Sequence, residues 1–80
     1  MASRRWTIRS TKDLGRAVAD IRRTKGLTQA QMASEVGLSR DSLAHLETGR
    51  SGRALEHLLR LLRRMGATIT ITIEDDNGET

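Results

Sequence analysis

The run Thr28-Gln29-Ala30-Gln31-Met32-Ala33-Ser34-Glu35-Val36-Gly37-Leu38-Ser39-Arg40-Asp41-Ser42-Leu43-Ala44-His45-Leu46 decides the fold. Its apolar positions recur at helical spacing on both sides of Gly37, so it reads as two short helices joined by one turn. Thr28 and Gln31 are spaced as a reciprocal capping pair, which sets the start of the first of these helices. Gly37 lacks a Cβ and takes the left-handed conformation that stops it. Ser39 caps the second. Ala33 is small where the two helices cross, and Met32, Val36, Leu38, Leu43 and Leu46 are expected to share one core. Two short helices in this relation make a helix-turn-helix.

Outward from this run, Ser10 to Lys25 is an amphipathic helix with Leu14, Ala17, Val18 and Ile21 on one side. Lys12, Arg16, Asp20 and Arg23 are expected to face out; Ser10 and Asp13 can cap the start, and Gly26 ends the helix. Beyond a Gly/Ser loop at 48–53, a fourth helix runs from Ala54 to Met65. Its apolar residues span an arc of about 160°, wider than one core requires. Glu56, His57, Arg60, Arg63 and Arg64 fill the rest, and Gly66 closes the helix. The period then changes to two: Thr68-Ile69-Thr70-Ile71-Thr72-Ile73 is a strand with one apolar face. A strand needs a partner for its backbone groups. Either the alternating Arg5-Trp6-Thr7-Ile8-Arg9 or the same strand of a second chain supplies it, and both pairings are compatible.

Eighty residues make one domain. With no Cys and two His twelve residues apart, a disulfide framework and a zinc site are excluded as readings. Neither His45 nor His57 has a nucleophile beside it, so no catalytic residues, cofactor or metal are expected. No apolar run is long enough to span a membrane. Residues 1–65 carry +8 and residues 66–80 carry −4. A basic body with an acidic tail fits a polyanion partner, although charge alone does not separate this from a solvated Arg-rich face. A single-strand binder would need aromatic platforms, and Trp6 is the one aromatic residue.

The run 28–46, with the flanking Gly26-Leu27 and Glu47-Thr48-Gly49, resembles the helix-turn-helix of the Xre/Cro repressor family over roughly residues 12–65. The expected fold is mainly α: a four-helix, lambda-repressor-like domain plus one C-terminal strand forming an intersubunit sheet. With Leu43 and Leu46 inward, Asp41, Ala44 and His45 point away from the core, flanked by Arg40 and Ser42. In the resemblance this helix enters the major groove, where Arg40 can read guanine and Asp41 cytosine. Ser39 is more naturally a cap than a base reader. Thr28 and Gln29 fall beside a phosphate at the start of the preceding helix, and Arg50 and Arg53 on the backbone. The family also implies a structural salt bridge between Arg22 and Glu47.

A strand directly after the fourth helix is similar to the HipB-type antitoxins. That resemblance implies autoregulation of an operon together with a HipA-type serine/threonine kinase toxin; the alternative is a stand-alone Xre-family regulator. The expected organisation is an N-terminal arm (1–9) that can form a short strand, the DNA-binding domain (10–66), a dimerisation strand (67–74) and a flexible acidic tail (75–80). The expected partners are double-stranded DNA with a palindromic operator, a second copy and the toxin, in the cytoplasm and without a membrane. The dimer is expected to pair Thr68, Ile69, Thr70, Ile71, Thr72 and Ile73 about a two-fold axis. The isoleucines would then lie over Leu58, Leu61 and Met65 of both subunits.

Overall fold

Capping chemistry sets the helix starts in the computed structural model, which describes residues 2–75. Ser10 Oγ accepts from the Asp13 amide ahead of α1 (Thr11–Thr24), and Thr28 and Gln31 close a reciprocal box ahead of α2 (Gln29–Val36). Ser39 Oγ accepts from the Ser42 amide ahead of α3 (Arg40–Glu47). Each bond satisfies an amide that has no partner within the first helical turn. Gly52 precedes α4 (Arg53–Arg64) without a side-chain cap. At the end of α2, Gly37 takes φ 76° and the Leu38 amide reaches back to the Ala33 carbonyl. That left-handed turn separates the two helices of the motif.

The chain's own N-terminal segment takes up the strand. β1 (Ala2–Ile8) pairs antiparallel with β2 (Ile69–Asp75), placing Ile8 opposite Ile69, Trp6 opposite Ile71 and Arg4 opposite Ile73. Trp6 and Ile8 thereby share a face with the isoleucines, and a register slip of one residue would turn them all outward. β2 therefore does not lack a partner within its own chain. Thr68 precedes the strand, and Asp75 belongs to it rather than to the tail; the rest of the expected tail, 76–80, lies outside the described residues.

Ile8, Ala17 and Leu59 are buried together, with Trp6, Leu14, Leu55, Ile69 and Ile71 packed on them. Within the single chain, Ile69 and Ile71 of the expected dimer seam cover the core of their own subunit. Leu58, Leu61 and Met65 instead stand 48%, 56% and 73% exposed. Val36 and Leu38 are exposed as well, although the pattern placed them in the core. The reason is topological. α2 packs chiefly on α3, so the far side of the turn stays uncovered.

Gly15 brings α1 close against α3. It is buried, and a Cβ on it would stand 2.3 Å from the Leu46 carbonyl oxygen and 2.6 Å from that of Glu47. β1 is pinned to α1 from the other side. Trp6 Nε1 donates to Asp20 Oδ2 at 3.0 Å, which turns Asp20 inward against expectation. Arg4 donates to the Thr24 hydroxyl and lies 5.2 Å from the Trp6 ring centroid.

Candidate nucleic-acid interface

The helix that presents the candidate site is held from behind by one ion-pair network. Arg22 Nε donates to Glu47 Oε2 at 2.7 Å and Nη2 to Oε1 at 3.1 Å, a bidentate pair. The two side chains are 12% and 6% exposed. Arg22 Nη1 also donates to the Leu27 carbonyl at 2.9 Å. The hydrogen bond from Arg22 holds the Glu47 carboxyl below the usual carboxylate range against the opposing effect of burial, and the amide of Gln29 adds to this. The same bond raises the Arg22 guanidinium. One network thus joins the end of α1, the start of α2 and the end of α3.

In front of it, Arg40, Asp41, Ser42 and His45 on α3 are exposed, while Ala44 is half-buried. Arg40 makes no ion pair among the described residues, so its guanidinium fork is free for a ligand. Asp41 lies in the first turn of α3, where a negative charge is favourable. Ser39 Oγ accepts from the Ser42 amide and donates to Ser42 Oγ at 2.9 Å, which accounts for its polar capacity as a cap.

Thr28 is likewise engaged in its capping box. Gln29 is half-buried, and its Nε2 donates to Glu47 Oε1 at 3.0 Å. Its role in the network was not visible in the pattern, because residues 29 and 47 are joined only by the fold. Arg50 lies in the loop after α3 and Arg53 opens α4, both exposed. That loop is fixed by the Arg50 amide donating to the His45 carbonyl at 2.8 Å and by Thr11 Oγ1 donating to the Gly49 carbonyl at 3.0 Å.

With Glu47 matched by Arg22, α3 and the residues that follow it carry Arg40, Arg50 and Arg53, none of them in an ion pair among the described residues. Such a surface offers guanidinium donors to an anion and a short helix end narrow enough to enter a groove. The residues expected at a subunit contact divide differently: Leu58, Leu61 and Met65 are open to solvent, Thr68, Thr70 and Thr72 are exposed, and Ile69, Ile71 and Ile73 are half-buried. Among the described residues no group of three or more His, Cys, Asp or Glu could hold a metal ion, and no helix is long and apolar enough to cross a membrane. One protein family, described as a helix-turn-helix domain, matches residues 13–70. No curated protein and no solved structure matches the chain.

Proposed function

This chain belongs to the helix-turn-helix domain family, and from that premise we propose that it is a sequence-specific repressor that reads a palindromic operator with α3. The observation that carries the reading is an exposed, unpaired Arg40 at the amino-terminal end of a helix braced from behind by Arg22, Glu47 and Gln29. Arg40 reads a guanine edge, and Asp41, Ser42, Ala44 and His45 face neighbouring bases. Thr28, Gln29, Ser39, Arg50 and Arg53 lie along the phosphates. Enrichment of bound duplexes from a random pool gives the operator. On it, Arg40→Ala weakens binding by about 1–3 kcal/mol and relaxes one base position. Arg53→Ala weakens selected and random duplexes alike. Equal losses on both kinds of duplex for both variants would show that α3 is not the reader.

The repressor acts as a homodimer, since one such motif covers only a half-site. Two features support this. Leu58, Leu61 and Met65 recur on one side of α4 and are all exposed. β2 pairs with β1 along one edge, and its other edge can receive the partner's strand. Leu61→Lys tests the dimer without touching the core that Ile69 and Ile71 cover. Wild-type protein should sediment at twice 8.9 kDa, and Leu61→Lys as a helical monomer that no longer binds the palindrome. A wild-type monomer at micromolar concentration would reject the dimer.

The finer assignment is an antitoxin that neutralises a HipA-type kinase and represses their shared operon in the cytoplasm. Its support is the order of elements, with α4 passing directly into β2. A kinase-like reading frame beside this one, whose product co-purifies with the chain, is the expected finding. An isolated gene would leave the stand-alone regulator.

A further inference from the structure

We propose that the cleft between the start of α1 and the adjoining side of α4 is a phosphate-binding site, separate from the DNA-reading face. The open cleft holds about 170 Å³ and is lined by Arg9, Ser10, Thr11, Glu56, Leu59, Arg60 and Arg63. At about 30 Å³ per water, that is room for a tetrahedral oxyanion and part of its hydration. Three of these seven residues carry guanidinium groups, against one carboxylate. Among the described residues none of the three arginines is in an ion pair, not even Arg60 with Glu56 four residues before it. Arg63 Nη1 donates to the Arg9 carbonyl at 2.8 Å, which draws its guanidinium to the residue before the Ser10 cap and leaves its other donors unused.

Gathered like charges with donors to spare favour a multiply charged anion, and planar guanidinium forks match phosphate oxygens in geometry. Arg53 and Arg60 are seven residues apart on α4, about 10.5 Å along one stripe with Glu56 between them, so the arginines of the cleft stand apart from those of the α3–α4 loop. The phosphate is that of DNA backbone beyond the half-site, in which case the site rests on the DNA-binding reading, or that of a free phosphorylated small molecule.

Two measurements on the whole chain separate these sources. In the first, inorganic phosphate is titrated against chloride at equal ionic strength, following the Ser10 and Thr11 amides and the Arg60 and Arg63 side-chain N–H resonances. Saturable shifts that Arg60→Gln abolishes show a site for free phosphate. In the second, binding to a random-sequence duplex that overhangs the protein is measured against salt. A slope of log K on log salt reduced by about 0.9 per site in Arg60→Gln shows a DNA phosphate held there. Arg60→Gln leaves the Arg63–Arg9 bond in place, and an unchanged melting temperature verifies its fold. No phosphate shifts beyond those of chloride and an unchanged slope would overturn the site, while duplex binding that still depends on Arg40 would leave the reading of α3 intact. Saturable phosphate shifts without any duplex binding would do the reverse.

Discussion

Gly15→Ala is expected to cost about 3 kcal/mol or more, since the added methyl meets backbone rather than a side chain that can rotate away. The two oxygens it meets, 2.3 and 2.6 Å from the new carbon, are the carbonyls of Leu46 and Glu47 at the end of α3. Relief requires α1 and α3 to separate along their seam. For a domain of this length total stability is about 4–12 kcal/mol, so the loss is a large fraction of it. Each kcal/mol moves the melting temperature of a domain this small by about 4–8 °C, and a fall of at least about 12 °C follows. Arg16→Ala, one residue on and exposed, should stay within about 0.5 kcal/mol of wild type. A Gly15→Ala protein that melts with wild type would mean that α1 does not approach α3 at this point.

Gly15 also shows where reading the sequence stops. The helix-turn-helix was legible because its signals are local: a capping pair three residues apart, a glycine at the turn and apolar residues at helical spacing. All the helix starts and stops found that way fall within a residue or two of those observed. Gly15 and Ala19 carry no such signal, since a small residue in a helical pattern looks the same whether it faces water or another backbone. Val36 and Leu38 failed for the opposite reason. Their pattern is that of a core, but burial depends on whether another element covers them, and α2 packs chiefly on α3. The alternation at 68–73 announced a strand and left its partner open, because Arg5–Arg9 and a second copy satisfy the same backbone groups. At the site, the exposure of Arg40 and Asp41 follows from helical phase alone. The tie between Gln29 and Glu47 does not, nor does the gathering of Arg9, Arg60 and Arg63, which come from separate parts of the chain.

Arg22→Ala is expected to destabilise the domain by about 3–5 kcal/mol, because it strands a carboxylate that the fold has removed from water. Glu47 is 6% exposed and would keep only the amide of Gln29 as a partner. The dependence on pH separates charge from packing. In wild type the Glu47 pKa is depressed, so the pair's contribution is fully present above the unfolded carboxyl value of about 4.3 and is lost as pH falls through the lower folded value. In Arg22→Ala the order inverts. Burial without a cation raises the Glu47 pKa, so protonation relieves the variant as the pH is lowered. The gap in melting temperature between the two proteins should therefore narrow steadily from neutral pH towards the acid range. A second substitution, Glu47→Gln in the Arg22→Ala background, should recover part of the loss at neutral pH and remove the dependence of the gap on acid. A gap that stays constant with pH would assign the role of Arg22 to the packing of its stem rather than to its charge. The placement of α3 would then rest on its packing against α1 and α2.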